Sequence, residues 1–365
     1  MNGNYCIWNA KSYYYSPKMN DSIGICLWPG NTMIQKLWVQ NFKSIRDITL
    51  DCKRVNLFIG EPNTGKSNIL ESLGFLSWCA RPDTNLKYFV RFQNMYNLFY
   101  DNLIDNPCSI TLWSLHEPSV PYKVKIFYSD NFFIIDTQLM NQNEKKVATV
   151  YPAGIVAGSD PHSAKKELEY IKYYHYTNRS DYPDQSGSYL VPPDGPNLFT
   201  LVMSNARLRE TMKGFFTDYD LKIVFKPVEM TFEVQKERED LIFNYPYPLL
   251  SDTLRRIIFY TIAIESNGES TIVFEEPESH AFPYYTKWLG EKIARDTKNQ
   301  YFIATHNPYL LQAIMEKTTT TDLSVWVTYY RNYQTRVHVL TQNQIEEAMS
   351  MDPFFNISAF IPDKE

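Results

Sequence analysis

The chain of 365 residues lacks several features that would assign a protein to a class at once. Its five cysteines contain no C-x-x-C pair, which argues against a structural zinc site and for reduced thiols in a cytoplasmic protein. No apolar run approaches the length of a membrane span. The N-terminus has no basic segment followed by an apolar core, so it is not a signal peptide. We therefore expect a cytoplasmic protein with no membrane partner.

Basic charge and heptad repeats are also scarce. The formal net charge of -5 and the pI of about 5.8 give no bulk electrostatic support for nucleic-acid binding, so DNA is only a weakly supported partner. The long segment between Lys66 and Glu276 holds no sustained heptad pattern, which excludes a long coiled coil. The many aromatic residues are consistent with base stacking or with core packing, and the acidic balance favours packing.

A glycine-rich segment, G-E-P-N-T-G-K-S from Gly60 to Ser67, matches G-x-x-x-x-G-K-[ST] at every required position. It follows a short β-prone stretch and precedes residues that are apolar at helical spacing. Such a loop presents backbone N–H groups to phosphate, while Lys66 contacts the β- and γ-phosphates and Ser67 binds Mg²⁺. The residues predicted to bind the nucleotide are Gly60, Glu61, Pro62, Asn63, Thr64, Gly65, Lys66, Ser67 and Asn68.

Two carboxylates, Glu275 and Glu276, end a buried-strand pattern that starts at Ser270. We expect this strand to lie beside the P-loop strand. Glu275 would then hold Mg²⁺ or its water shell, and Glu276 would orient and deprotonate the attacking water. A solvated acidic turn is the alternative, and the upstream P-loop disfavours it.

A third strand pattern, residues 300–304, leads to His306. A histidine at this strand end can contact the γ-phosphate and the attacking water. The alternative is a structural histidine bonded to a loop carbonyl, and its position relative to the two acids favours the catalytic interpretation.

These segments resemble the RecF/SMC/OLD group of ABC-type ATPases. The similarity covers the opening strand at residues 34–45, the P-loop, the strand I-V-F-E-E-P-E-S-H-A-F-P, the switch A-T-H-N-P-Y-L-L and the segment V-P-P-D-G-P-N-L. It implies an α/β P-loop NTPase of the ABC-head type, with a mixed or parallel sheet core, an antiparallel β subdomain and a helical lobe. It also implies ATP held between two subunits. Gln93, in a segment predicted to be helical (80–105), is a candidate sensor of Mg²⁺ and water, or an ordinary polar helix residue.

One motif departs from this family. The signature segment reads Leu250-Ser251-Asp252-Thr253, without the family's glycine. The resemblance implies that Ser251 and Asp252 meet the γ-phosphate of a partner subunit. Ser251 is also a suitable N-cap for a helix at 252–266, and capping could be its whole role. The missing glycine predicts weak dimer closure and slow turnover.

The segment pattern divides the chain into five parts. Residues 1–32 form an N-terminal extension or precede a true start at Met33, and residues 346–365 form a tail. Between them lie an N-terminal ATPase lobe (33–160) with an antiparallel meander at 108–155, a helical lobe with its connections (161–250) and a C-terminal ATPase lobe (251–345). We expect the stretch after His306 to be too short for an added nuclease domain, so any effector would be a separate chain.

The sequence thus predicts a Mg²⁺-dependent ATPase that dimerises on ATP and serves DNA maintenance or anti-phage defence. A nucleotide-gated sensor or scaffold with little turnover is the alternative. A small-molecule phosphotransferase is disfavoured by the paired acids and His306.

Overall fold

The computed structural model describes residues 33–114, 120–139, 142–160, 162–184, 187–217 and 219–362. The N-terminal extension predicted at 1–32 lies outside them. The strands are β1 (Ile34–Phe42), β2 (Ile45–Asp51), β3 (Val55–Gly60), β4 (Cys108–Ser114), β5 (Tyr122–Ser129), β6 (Phe132–Leu139), β7 (Lys145–Val150), β8 (Val156–Ser159), β9 (Ile171–Tyr174), β10 (Leu221–Lys226), β11 (Thr231–Arg238), β12 (Leu241–Pro246), β13 (Thr271–Glu275), β14 (Gln300–Ala304), β15 (Leu323–Arg331) and β16 (Gln334–Val339). The helices are α1 (Lys66–Cys79), α2 (Lys165–Leu168), α3 (Leu198–Ser204), α4 (Ala206–Thr217), α5 (Asp252–Ser266), α6 (Pro283–Arg295), α7 (Pro308–Lys317) and α8 (Gln342–Ser350).

The N-terminal half builds an antiparallel sheet in the order β2-β1-β4-β5-β6-β7-β8. Its strands bury alternate residues, as β5 and β6 show, because side chains of successive residues point to opposite faces. The meander predicted at 108–155 from this alternation is confirmed.

The second large sheet has the order β16-β15-β3-β14-β13-β9. All neighbouring pairs are parallel except β15 and β16. The expectation that the acidic strand lies beside the P-loop strand is wrong, because β14 lies between β13 and β3. The strand that leads to His306 is therefore the neighbour of the P-loop strand. Sequence order gives the succession of strands but not their order across a sheet with crossover connections.

Helix α1 lies between the two large sheets, and nearly all of its residues are buried. Phe58 of β3 and Phe302 of β14 face this helix. The intervening residues Leu57 and Ile303 face the opposite side, where α5, α6 and α7 pack. Both faces of the parallel sheet are thus covered, which explains why its strands are continuous apolar runs.

The segment predicted as a helical lobe, 161–250, is only partly helical. It contains α3 and α4, but also a three-stranded antiparallel sheet in the order β10-β11-β12. Its strand β9 pairs with β13 at the edge of the parallel sheet. The aromatic run around Tyr173 and Tyr174 therefore belongs to the core, since both side chains are buried.

The helix predicted at 80–105 is wrong. That segment instead forms three short 3-10 turns, at Leu86–Tyr88, Met95–Leu98 and Tyr100–Asn102. Asparagine and aspartate side chains compete for backbone hydrogen bonds and tolerate positive φ, as Asp101 and Asn102 do here. Within the described ranges, no helix is both long and apolar enough to cross a membrane.

Candidate functional site

The glycine-rich loop connects β3 to α1 and wraps around the start of the helix. Gly60 has φ +151° and Gly65 has φ +99°, and a Cβ at Gly65 would lie 2.0 Å from the Thr335 hydroxyl oxygen. Both positions therefore require glycine for conformation and for space. The loop N–H groups and the helix N-terminus together form a site suited to an anion.

Lys66 is nearly buried in this loop. Its Nζ donates to the carbonyl oxygens of Gly60, at 2.9 Å, and Glu61, at 2.8 Å. Desolvation lowers the pKa of Lys66 to about 8, and the negative charges of Glu276 and Glu275 oppose this shift. The ammonium group is thus already oriented within the loop before a phosphate arrives.

Hydroxyl groups from β15, β16 and the turn after β1 support the loop from outside. The Thr64 and Thr328 hydroxyl oxygens lie 2.8 Å apart, and those of Ser44 and Thr335 lie 2.6 Å apart. Asn68 donates to the Ser44 hydroxyl at 2.6 Å. Sequence reasoning missed this support because Ser44 and Thr335 lie 291 positions apart and Thr64 and Thr328 lie 264 positions apart, and only proximity in the fold reveals it.

Glu276 and His306 face each other at the ends of β13 and β14. His306 Nε2 lies 3.5 Å from Glu276 Oε1, and both side chains are partly exposed. Desolvation and the positive charge of Lys66 lower the pKa of His306, while Glu276 opposes them. His306 is therefore mostly neutral at pH 7, with one ring nitrogen able to donate and the other to accept.

Glu275 points to the other side of the strand end. Arg91 Nη2 lies 3.3 Å from its Oε1, and the Tyr173 hydroxyl donates to its Oε2 at 3.1 Å. Arg91 also pairs through Nε with the buried Glu71 at 2.5 Å, and Glu71 bonds Lys43. Sequence reasoning did not identify Arg91 or Glu71 as part of the site.

The P-loop, Glu276 and His306 line one cleft of about 920 Å³. Its lining residues are Ser44, Glu61, Pro62, Asn63, Thr64, Gly65, Lys66, Ser67, Asn68, Arg91, Glu276, His306, Thr328, Tyr329, Tyr330, Arg331 and Ile361. The described residues contain no group of three or more His, Cys, Asp or Glu side chains able to hold a metal alone. The Ser67 hydroxyl and the Glu275 carboxylate fit Mg²⁺ without such a group, because Mg²⁺ is usually held by one or two protein oxygens together with phosphates and water.

Five predicted residues do not line this cleft, namely Gly60, Glu275, Gln93, Ser251 and Asp252. Gln93 is exposed on a turn, where its backbone N–H donates to Asn97 Oδ1 at 3.0 Å, whereas Arg91 lines the cleft. Ser251 is exposed and caps α5, since its hydroxyl accepts from the Leu254 N–H at 3.3 Å. Asp252 pairs with Arg256 at 2.6 Å.

This fold and loop define a P-loop NTPase with an α/β core. Residues 33–184 match the family model of the AAA ATPase domain. This matched segment contains the loop and α1 but ends before β13 and β14.

The chain is also similar to curated proteins and to solved structures. An ATP/GTP phosphatase of Helicobacter pylori is 19% identical over 323 residues, 77% of this chain and 87% of that protein. The DNA replication and repair protein RecF of Leptospira interrogans is 28% identical over 180 residues, 42% of this chain and 47% of that protein. The SMC head domain of Thermotoga maritima has 14% identity and a TM-score of 0.40, covering 84% of this chain and 99% of the head. An Smc head domain with an extended coiled coil, bound to the C-terminal domain of ScpA from Pyrococcus furiosus, has 11% identity and a TM-score of 0.47. The match covers 87% of this chain and 98% of that one.

The domain match, the RecF relative and the order of the motifs support the resemblance to RecF/SMC-type ABC ATPases.

Proposed function

We propose that the chain binds ATP with Mg²⁺ in the cleft of the P-loop and hydrolyses it slowly. The observation that carries this proposal is the placement of Glu276 and His306 on the lining of the cleft that also holds Lys66. A P-loop alone would support binding, whereas a carboxylate and a neutral histidine beside it also support activation of water.

In this proposal each residue has a separate task. The loop N–H groups and Lys66 bind the phosphates, and Lys66 exchanges its bonds to the Gly60 and Glu61 carbonyls for phosphate oxygens. Glu276 accepts a proton from the attacking water, and His306 orients that water through a ring nitrogen. Ser67 and Glu275 would hold Mg²⁺, which neutralises phosphate charge when bound. For Glu275 to bind Mg²⁺, Arg91 would have to share this carboxylate with the metal or break its ion pair with it.

We also propose that the site is completed by a second copy of the chain. Ser251 is exposed at the N-terminus of α5 and outside the cleft of its own subunit, so it is accessible to a partner's nucleotide. Helix N-termini favour anions because their N–H groups are unpaired. ATP binding would then bring two subunits together.

A second candidate function is a nucleotide-gated sensor or scaffold with little turnover. The observation that favours it is Thr253, which stands where the family has glycine. Its hydroxyl donates to the His280 carbonyl at 2.6 Å and so ties the start of α5 to the turn after β13. A side chain at this position restricts how closely a phosphate can approach the helix.

We further propose a biological role, on the basis of the resemblance to RecF. A relative named for DNA replication and repair supports a role in DNA maintenance, with anti-phage defence as the other setting and a separate effector protein in either.

The experiment that tests hydrolysis measures phosphate release from ATP with Mg²⁺, with EDTA, and with or without DNA. Wild-type protein should release phosphate only with Mg²⁺, and Glu276→Gln should bind ATP without releasing phosphate. Light scattering of Glu276→Gln should show a dimer only with ATP. ATP-dependent dimerisation without phosphate release by the wild type would instead support the sensor.

A further inference from the structure

The turn after β13 contains a buried carboxyl group that the proposed chemistry does not use. Glu278 is only 5% exposed. Its Oε1 accepts a hydrogen bond from the Thr305 hydroxyl at 2.5 Å. The backbone N–H of His306 lies close enough to this carboxyl group to lower its pKa, against the larger effect of desolvation. Glu278 therefore connects the turn that carries Glu276 to the strand end that carries His306.

Thr305 completes this connection on the side of β14. Its side chain is fully buried, and its hydroxyl oxygen accepts from the Asn307 N–H at 3.0 Å. Its own N–H donates to the Phe58 carbonyl on the P-loop strand at 3.2 Å. Through these hydrogen bonds Thr305 contacts the turn after β13, the turn after β14 and the P-loop strand.

Direct contact between Glu276 and His306 is too weak to set their geometry. Their side chains are 46% and 38% exposed, and the atoms that approach each other are 3.5 Å apart. Glu276 also has φ +43°, a conformation that the surrounding turn has to maintain. Ser279 helps, since its N–H donates to the Glu276 carbonyl at 3.0 Å. The Glu276 N–H donates to the Ala304 carbonyl at 2.9 Å, and the buried contact between Glu278 and Thr305 is the side-chain link that joins the two turns beside it.

Burying Glu278 has a cost. Desolvation raises its pKa to about 7, and its Oε2 has no hydrogen-bond partner among the described residues. An incompletely paired buried carboxyl group is unfavourable for stability, so packing alone would favour an apolar side chain here.

We propose that Glu278 is a positioning residue, which holds Glu276 and His306 at their mutual distance through Thr305 and the His306 backbone. This inference rests on the proposed hydrolysis, because that reaction is what the geometry would serve.

The test compares disruptive and conservative changes at the two residues. Glu278→Ala and Thr305→Val should lower kcat at least about tenfold and leave the KM for ATP nearly unchanged, because small displacements of catalytic groups are costly. Glu278→Gln retains an acceptor oxygen and Thr305→Ser retains a donor, so both should stay within about threefold of wild-type kcat. Two independent positions keep the test decisive if one variant does not fold.

A second readout does not depend on activity. The ring ¹H–¹³C signals of His306, assigned with a His306→Asn variant, should move in nucleotide-free Glu278→Ala and return in Glu278→Gln. The control is Glu265→Ala, which removes a carboxylate bonded to Thr211 at 2.7 Å, away from the cleft. That variant should leave both kcat and the His306 signals unchanged.

Unmoved His306 signals and wild-type kcat in Glu278→Ala would overturn the positioning role. Absence of phosphate release by the wild type would refute the proposed hydrolysis instead. The His306 signals would still decide whether Glu278 sets the geometry of the pair.

Discussion

Ser251 offers a decisive test of assembly, because its two candidate roles predict effects of different size. As a cap it accepts one hydrogen bond from the Leu254 N–H, and at 3.3 Å that bond is long. Replacing a serine cap by alanine costs about 1 kcal/mol. For a protein stable by even about 5 kcal/mol, that loss leaves more than roughly 99% of the molecules folded. If Ser251 is only a cap, Ser251→Ala should hydrolyse ATP at the wild-type rate.

If Ser251 meets the partner's γ-phosphate, the loss is larger. Removing one preorganised donor to developing charge in an active site typically costs about 100-fold in kcat. The backbone N–H groups of α5 remain in Ser251→Ala, so we expect a loss of at least about tenfold. Ser251→Arg adds a bulky group at an exposed position and should abolish dimer closure while leaving ATP binding to each subunit intact.

Thr341 provides a matched control. It caps α8 through the Gln344 N–H at 3.4 Å, in a capping box, and does not line the cleft. Thr341→Ala should lose similar stability in urea unfolding and keep wild-type hydrolysis. The measurements are phosphate release, binding of a fluorescent ATP analogue and light scattering with ATP. Wild-type hydrolysis and an unchanged molar mass in both Ser251 variants would refute completion of the site by a second subunit.

Three further predictions concern single side chains. Lys66→Ala should abolish tight ATP binding, measured by calorimetry, because it removes the charge from the phosphate site; ATP binding as tight as that of the wild type would mean that the loop is not the nucleotide site. Glu275→Gln should raise the Mg²⁺ concentration needed for phosphate release, whereas Glu276→Gln should stop release at any Mg²⁺ concentration; the reverse pattern would show that the metal and base roles are exchanged. Lys172→Met should change the pH dependence of stability, because desolvation lowers the pKa of this buried lysine to about 7. The unfolded chain binds more protons than the folded one between that pH and about 10.5, so wild-type stability should rise with pH in this window by up to about 1 kcal/mol per unit relative to Lys172→Met in urea unfolding. Parallel pH profiles would show instead that the Tyr189 ring, 3.4 Å from the Nζ, keeps the ammonium charged.

Patterns among residues close in sequence predicted the local elements of this protein, namely loops and helices. The P-loop and α1 follow from glycine spacing and helical periodicity, and the helix at 252–266 follows the same rule. The position of β14 between β3 and β13 could not be predicted, because no local sequence pattern specifies the order of strands across a sheet. The roles of Arg91, Glu71 and Glu278 arise from contacts between distant segments, and no role was assigned to these residues from the sequence.

The placement of β3 has a consequence for when the nucleotide site can form. Both neighbours of β3, namely β14 and β15, come from the last third of the chain, and so do the Thr328 and Thr335 hydroxyl groups that contact the loop. A nascent chain that has emerged only as far as residue 184 carries the whole glycine-rich motif but neither strand that flanks it. We therefore expect the nucleotide site to be complete only once β16 has emerged from the ribosome. Nucleotide should then stabilise the completed protein but no earlier folding intermediate, and a fragment cut at the end of the matched domain should not bind it.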